Sequence, residues 1–253
     1  MRVQIPPRAP TIMPELPEVE IVVRQLRPRL CGRIIRHVEV CDPKIKLTGQ
    51  LVGDRIKKIH RRAKFIIFDL TGHRHLLIHL RMTGWFEFVR PERYRLAIHA
   101  GKSAAYFTDS RRFGTVELLS TRELTCKLTK LGPEPFQFDG HRLQQTTRPI
   151  KVALLDQSLI AGIGNIYASE SLWRARINPQ RPSRRLRPAE WRRLQRSLVA
   201  ALRKGISYGP RIFDVQEFFA YDRTGKPCRR CRTPIRRIVL AQRATFFCPH
   251  CQH

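Results

Sequence analysis

The chain has 253 residues, 42% of them hydrophobic, which allows two ordinary domains and excludes wholesale disorder. Its 49 Lys+Arg against 20 Asp+Glu give a formal net charge of +29. A field of this sign indicates a polyanionic partner. Nucleic acid comes before a membrane surface because no long amphipathic lipid-facing stretch is present. A ribosomal protein or a generally basic proteome would give the same charge, so charge alone does not decide the function.

The first twelve residues, MRVQIPPRAPTI, show no helical or strand period and lack the apolar core of a signal peptide. We interpret residues 1–13 as a leader that is absent from the mature protein, or as a mis-set start. Elsewhere no apolar run reaches the roughly 20 residues that a membrane span needs. The sequence therefore predicts a cytoplasmic protein.

The segment Met13-Pro14-Glu15-Leu16-Pro17-Glu18 places a carboxylate directly after a proline. If Met13 is the true start and is removed, Pro14 carries a free secondary amine. Model α-amino groups titrate near ~8, against ~10.4 for lysine, so such an amine is a candidate nucleophile. The same residues also suit an ordinary helix start, where proline and early acids are favoured.

An amphipathic helix is predicted to begin at Val19 and to close near Pro28, because apolar residues recur at helical spacing and arginines come late. Short β-branched and aromatic runs follow, separated by Gly, Pro and Asp, and they predict a β-sandwich or barrel. The predicted strands are Arg33–Cys41, Lys64–Leu70, His75–Leu80, Trp85–Val89, Tyr94–His99, Ala104–Thr108 and Thr115–Leu119.

After a breaker at residues 131–135 the pattern changes from strands to helices, predicted at Lys151–Ser158, Asn165–Arg174 and Pro188–Gly205. We therefore expect five segments along the chain. They are the leader (1–13), an N-terminal β domain (14–132), a linker (133–150), a helical domain (151–222) and a C-terminal module (223–253).

The strongest motif is Cys228-x2-Cys231-x16-Cys248-x2-Cys251. Two such pairs supply four thiolates for one tetrahedral zinc, with a β-hairpin between them, and a closed site of this kind is structural. Residues 223–253 contain eight Lys/Arg and no acidic residue. We therefore expect the ribbon to lie on phosphates, with Arg243 in the hairpin arm. A ribbon that only stabilises the fold is the alternative.

A glycine-punctuated turn, Gly162-Ile163-Gly164-Asn165, lies between two predicted helices. Amides at a turn and at a helix N-terminus bind phosphate, so we predict a phosphate site here, with Asn165 as N-cap or phosphate donor. A dinucleotide-binding fingerprint fits poorly, because no strand precedes the turn and the third glycine is missing.

Two strand-end loops, residues 80–84 and 108–114, carry side chains that can fill the gap left when a base leaves the stack. Either Met82 or Phe113, taken singly, would more simply be a core residue. A basic cluster, Arg61-Arg62-Ala63-Lys64, precedes an apolar strand. Lys64 could hold a phosphate there or act as a strand-end gatekeeper.

Together these motifs resemble the formamidopyrimidine-DNA glycosylase family, within the group that includes the Nei endonucleases. The resemblance covers most of the chain from Met13. Its motifs are MPELPEVE (13–20), RRAKF (61–65), MTG (82–84), TDSRRFG (108–114), LGPEP (131–135), RPIK (148–151), GIGNIYASE (162–170) and QRATFFCPHC (242–251). Leu16, where Nei-type enzymes usually have glycine, favours the first branch.

The resemblance implies an α+β fold: an N-terminal β-sandwich with a leading α-helix, a helix-two-turn-helix domain and a β-hairpin zinc ribbon. The implied activity is that of a bifunctional DNA glycosylase and AP lyase of base excision repair, acting on oxidised purines. Its expected partner is damaged double-stranded DNA. The protein is expected to be a monomer that acts at the bacterial nucleoid and not at a membrane.

The resemblance also implies roles for single residues. Pro14 matches the nucleophile that attacks C1′ and forms a Schiff base, and Glu15 matches the acid–base residue that assists sugar opening. The catalytic set is Pro14, Glu15, Lys64 and Arg243. The DNA-binding set is Met82, Arg111, Arg112, Phe113, Lys151, Asn165 and Tyr167. The implied cofactor is one structural Zn²⁺ on Cys228, Cys231, Cys248 and Cys251.

Two features depart from the family pattern. Residues 1–12 would block the amine of Pro14, so the functional protein is predicted to begin at Pro14. Residues 205–219 are shorter than the loop that closes over the flipped base in the family, so abasic sites are expected to be cut well and 8-oxoguanine weakly. The alternatives are a Nei-like glycosylase for oxidised pyrimidines and a non-catalytic zinc-ribbon binder that retains the leader.

Overall fold

A computed structural model describes residues 13–138, 140–212 and 217–253. The chain forms two compact units. Among the described residues, the first comprises Met13, Pro14 and Val19–Cys126, and the second comprises Glu15–Glu18 with Lys127–His253. Within the described ranges, no helix is long and apolar enough to cross a membrane.

The first unit contains most of helix α1 (Leu16–Leu30) and two four-stranded antiparallel sheets, ordered β1-β6-β7-β5 and β2-β3-β4-β8. Their strands are β1 (Ile35–Val40), β2 (Ile56–Arg62), β3 (Phe65–Leu70), β4 (Arg74–His79), β5 (Trp85–Glu87), β6 (Leu96–Ala100), β7 (Ser103–Thr108) and β8 (Thr115–Ser120). Phe68, Phe86 and Phe107 of these sheets are fully buried. Large aromatic side chains such as these bury much apolar area and stabilise the core. The predicted β-sandwich with a leading helix is confirmed.

The boundaries of α1 differ from the prediction at both ends. The helix begins at Leu16 and continues past Pro28 to Leu30. Leu30 is fully buried, and the amide of Cys31 donates to the carbonyl of Arg27 at 3.0 Å. These contacts hold the last turn, although Pro28 supplies no amide donor at its own position.

The sequence did not predict β2, helix α2 (Thr121–Leu128) or the short helix α3 (His141–Gln144). Strand β2 has only two apolar residues, Ile56 and Ile59, and they do not alternate with polar residues, because the pairing register with β3 shifts between Ile56 and Lys58. Its hairpin with β3 also places Lys64 in the connecting turn and not on the apolar strand. Helix α2 begins with a capping box, in which the carboxylate of Glu123 accepts the amide of Ser120 at 2.8 Å.

The second unit contains α3 (His141–Gln144), α4 (Ile150–Leu155), α5 (Asn165–Ala175), α6 (Pro188–Ser207) and a hairpin of β9 (Arg236–Leu240) and β10 (Arg243–Phe247). Helix α5 is buried along almost its whole length and packs against α6. Helix α4 ends three residues before the predicted Ser158, because Asp156 accepts the amide and hydroxyl of Ser158 in a turn.

Candidate functional site

The start of α5 is capped by a side chain from the N-terminal segment. The carboxylate of Glu15 accepts the amides of Gly164 at 2.8 Å, Ile166 at 2.8 Å and Tyr167 at 3.3 Å. These are the unpaired donors of a helix N-terminus, where a negative charge is favoured. Glu15 is completely buried and directly follows the buried Pro14 in the chain.

This arrangement corrects two predictions about the glycine-rich turn. Gly164, and not Asn165, is the N-cap, and Asn165 is the first helical residue. The turn amides donate to Glu15, so they do not form the expected phosphate site. The cause is steric, because a Cβ on Gly164 would lie 2.3 Å from the carboxyl carbon of Glu15. Only glycine lets the carboxylate reach the helix end.

A second carboxyl, Glu18, lies beside Glu15. It is buried and accepts the amide of Glu15 and the hydroxyl of Tyr167, both at 2.9 Å. Burial, reinforced by the Glu15 carboxylate, raises the pKa of Glu18 to about 7. Tyr167 is 2% exposed and packs on Gly205, where an added Cβ would lie 2.3 Å from its hydroxyl oxygen. The DNA contact predicted for Tyr167 stays a prediction, because its observed contacts are internal.

The raised pKa of Glu18 makes folding stability depend on pH. A folded-state pKa of about 7 against 4.5 for the ordinary group gives a contribution that is complete below about pH 4.5 and is lost as the pH rises through 7. Relative to Glu18→Gln, we expect the wild-type protein to lose up to roughly 3 kcal/mol of unfolding free energy across this window. Urea unfolding at several pH values measures this, and parallel curves for the two proteins would contradict it.

Lys151 joins α4 to the C-terminal hairpin. Its ammonium donates to the carbonyl of Ala244 at 2.9 Å and to the hydroxyl of Thr245 at 3.0 Å. Burial lowers the pKa of Lys151 to about 7, and the charge of Glu15 opposes this shift. An amine that titrates near neutral pH can exchange a proton during a reaction. The Lys151 side chain is thus buried and bonded within the protein, and its DNA contact stays a prediction.

Arg243 is the first residue of β10 and is exposed. The two residues before it, Ala241 and Gln242, have φ values of 45° and 60°. Positive φ at both central residues matches the right-handed twist of a tight hairpin. This turn places Arg243 at the tip of the hairpin arm, as the motif predicted.

One further residue of α5, Glu170, was missed as a functional candidate. The carboxylate of Glu170 accepts the amides of Phe219, Ala220 and Tyr221 at 2.9–3.1 Å. It thereby fixes the segment that follows residues 213–216. Burial raises the pKa of Tyr221, and a hydrogen bond from Asn165 partly opposes this shift. Their separation in sequence left no local signal for this contact.

In the first unit, Met82, Arg111 and Phe113, which we call the wedge residues, lie on two connected loops. Phe113 is 50% exposed, and the guanidinium carbon of Arg111 lies 4.9 Å from its ring centroid. The Thr83 hydroxyl donates to Asp109 and accepts the amide of Arg111 at 3.2 Å. An exposed phenyl ring on an ordered loop favours the wedge interpretation of Phe113 over a core role.

Arg112, the neighbour of Arg111, has φ 55° and donates through two guanidinium nitrogens to Asp42. The hydrogen bond to Arg112 is the main reason why the pKa of Asp42 is well below its usual range. The structure thus engages Arg112 within the protein, and a direct DNA contact by this side chain stays a prediction.

Lys64 belongs to a basic group that includes His79, which sequence reasoning missed. The Nδ1 atom of His79 accepts the amide of Arg81 at 2.9 Å. Burial, then the charges of Arg81 and Lys64, lowers the pKa of His79 to about 3. A neutral histidine with Nδ1 as acceptor carries its proton on Nε2. Two cations and a neutral N–H donor in one place suit a phosphate group.

The four cysteines of the ribbon form one cluster, with their Sγ atoms all within 4.8 Å of one another. Zinc bonds to sulfur are about 2.3 Å, so tetrahedral ligands are separated by about 3.8 Å and the cluster fits this ion. The Nε1–H of Trp173 donates to Cys228 Sγ at 3.4 Å and orients that ligand. The cofactor is one structural zinc.

Three family models match consecutive parts of this chain. They are the formamidopyrimidine-DNA glycosylase N-terminal domain at residues 13–116, the formamidopyrimidine-DNA glycosylase H2TH domain at 131–217, and a zinc finger found in FPG and IleRS at 225–253. Similar curated proteins include formamidopyrimidine-DNA glycosylases of Chloroflexus aurantiacus and Thermus thermophilus, 41% identical over 272 and 264 residues. Both matches cover 95% of this chain and 98% of the relative.

Similar solved structures contain DNA. Lactococcus lactis formamidopyrimidine-DNA glycosylase bound non-covalently to AP-site DNA gives a TM-score of 0.86 at 36% identity. MutM with DNA containing carbocyclic 8-oxo-G gives the same two values. The Lactococcus lactis enzyme with DNA containing an oxidised pyrimidine gives 0.86 at 35%. All three matches cover 95% of this chain and 100% of the solved chain.

Proposed function

The chain belongs to the formamidopyrimidine-DNA glycosylase family, and from this premise we propose that it excises oxidised purines through a Schiff base on Pro14. Family membership makes it a DNA N-glycosylase and AP lyase of base excision repair that acts on DNA. The damaged base, the covalent intermediate and the steps of strand cleavage are the content of the proposal.

The observation that carries the proposal is the position of Glu15. Its carboxylate is fixed by three backbone amides at the start of α5, and its chain neighbour is Pro14. The Pro14 nitrogen attacks C1′ and the damaged base leaves. The C1′–O4′ bond then breaks and leaves an iminium between C1′ and the Pro14 nitrogen, while Glu15 transfers to O4′ the proton that this nitrogen releases. The positive iminium draws electrons from C2′, which promotes β- and then δ-elimination of the two phosphates.

Phosphate positioning is proposed for two groups of residues. In the first unit it comes from Lys64 and the neighbouring His79 and Arg81, whose geometry suits an anion. In the second unit we assign it to Asn165 and to Arg243 at the hairpin tip. Such contacts hold the reacting sugar in place and make binding depend steeply on salt.

The proposal requires a free amine on Pro14, so it includes the proposal that the working protein begins there. Borohydride trapping tests it with two preparations, one started at Met13 with the methionine removed and one that retains residues 1–13. The substrates are matched duplexes with an abasic site, 8-oxoguanine, a formamidopyrimidine or an oxidised pyrimidine. We expect a reduced covalent adduct only from the preparation that begins at Pro14.

Equal adducts from both preparations would contradict Pro14 as the nucleophile and point to a lysine. No adduct from either preparation would contradict the Schiff base. The remaining interpretation would then be the non-catalytic zinc-ribbon binder. The same panel tests a second candidate function, excision of oxidised pyrimidines. That candidate is favoured by the Lactococcus lactis relative, solved with oxidised-pyrimidine DNA.

The expectation of weak 8-oxoguanine excision concerns residues 205–219. Residues 213–216 of that span lie outside the described residues. The expectation therefore stays a prediction. Initial rates on the 8-oxoguanine and abasic duplexes decide it.

A further inference from the structure

A buried arginine, Arg95, connects three segments of the first unit. It is 5% exposed and lies just before β6. Its Nε donates to Asp42 at 2.6 Å, while its Nη1 donates to Asp109 at 2.9 Å and to the carbonyl of Gly114 at 2.8 Å. Two carboxylates and a carbonyl thus accept three hydrogen bonds from one buried guanidinium, and its planar donors fix their relative positions.

The same network sets the shape of the loop that carries Arg111 and Phe113. Asp109 accepts the amide of Gly114 at 2.7 Å, which closes the loop at its base. An added Cβ on Gly114 would lie 2.7 Å from the ring of Phe107, so the chain passes where no side chain fits. The loop is therefore held from the interior, and its tip is left exposed.

Thr83 extends this control to the second loop. It is the residue after Met82, its hydroxyl donates to Asp109, and its oxygen accepts the amide of Arg111 at 3.2 Å. This hydroxyl therefore links the loop that carries Met82 to the loop that carries Phe113. The exposed fraction of Phe113, 50%, shows that packing of its own ring does not fix it.

We propose that Arg95 and Thr83 are positioning residues that hold Met82, Arg111 and Phe113 in one prearranged geometry for insertion into the DNA stack. This inference rests on the proposed function of the wedge residues. Its physical basis is conformational entropy, since side chains that are ordered before binding lose less freedom when they enter the duplex. Arg95 lies outside the motifs described in the sequence analysis, and Thr83 belongs to the MTG motif but was given no role there.

The test uses Thr83→Val, which keeps the shape of the side chain and removes its hydroxyl. Thr71→Val is a matched control, because the Thr71 hydroxyl also donates to an aspartate, Asp54, at 2.7 Å and accepts a backbone amide, that of Arg55, at 3.1 Å. Thr83→Ser restores the hydroxyl. Single-turnover excision is measured on a lesion duplex, and strand cleavage is measured on a single-stranded oligonucleotide with a preformed abasic site.

We expect Thr83→Val to lower duplex excision roughly tenfold, because the substitution removes both hydrogen bonds of the hydroxyl that join the two loops. Cleavage of the single strand should stay within about twofold, because no opposite base has to be replaced there. Thr83→Ser should recover most of the rate, and Thr71→Val should match wild type in both assays. Arg95→Lys, which keeps the charge but loses the planar fork, should resemble Thr83→Val.

Phe113→Ala separates failure of the inference from failure of the proposed function. If Phe113→Ala slows duplex excision while Thr83→Val and Arg95→Lys do not, the positioning role is wrong and the wedge is retained. If Phe113→Ala itself has no effect, the wedge function is wrong. Equal losses on duplex and single strand in Thr83→Val would show a general structural defect and also overturn the positioning role.

Discussion

Glu15→Gln is expected to lower base excision by about 10²–10⁴-fold, the range that a positioned acid–base group contributes. Two effects combine in this variant. The amide cannot exchange the proton, and its NH2 group would face the amides of Gly164, Ile166 and Tyr167, which now donate to a carboxylate. The start of α5 should therefore lose roughly 1–2 kcal/mol of capping energy as well.

The variant Glu190→Gln distinguishes the loss of acid–base chemistry in Glu15→Gln from the loss of helix capping. Glu190 also caps a helix in the second unit, where it accepts the amide of Arg187 at 2.8 Å at the start of α6. We expect Glu190→Gln to lower the melting temperature without changing the rate of the chemical step. Single-turnover rates and thermal unfolding of both variants measure this, and equal rate losses would mean that Glu15 acts only as a cap.

Several parts of this molecule were predictable because their signals are local. Helices α5 and α6 follow from apolar spacing, and the zinc cluster follows from four cysteines at fixed separations. Strand β2 was missed because its two apolar residues, Ile56 and Ile59, lie three positions apart among basic residues and give no two-residue alternation. The local pattern therefore predicts a helix or strand when its apolar residues recur at a regular spacing, and it fails when they do not.

The hydrogen bonds that hold the residues of the candidate site in place could not be predicted in the same way. Glu15 reaches Gly164 across 149 positions of sequence, and Arg95 joins Asp42 across 53. Nothing in the local sequence of either residue indicates its partner, because such contacts depend on the path of the folded chain. The motif predicted Asn165 as N-cap or phosphate donor, and the N-cap is Gly164 instead, since a phosphate site and a carboxylate cap use the same kind of backbone amides.

Loss of zinc should unfold the ribbon and abolish DNA cleavage. The cysteines are themselves the core of this module, packed with Trp173, Ile235 and Phe246. A two-stranded hairpin is marginal alone in water, whereas structural zinc contributes about 10–16 kcal/mol in small ribbons. We therefore expect Cys248→Ser, or chelation of the wild-type protein, to release the metal and change Trp173 fluorescence. Cys126→Ser, a variant of an exposed cysteine outside the cluster, should keep both zinc and activity.

The effect of zinc loss should extend from the ribbon to Lys151. Its ammonium is held by Ala244 and Thr245 of β10, and burial lowers its pKa to about 7. Once the hairpin unfolds, water replaces these partners, and the pKa should rise toward the ordinary value near ~10.4. An NMR titration of the Lys151 side chain, with and without chelator, measures this change. An unchanged pKa with active protein after zinc removal would show that the hairpin folds without the metal.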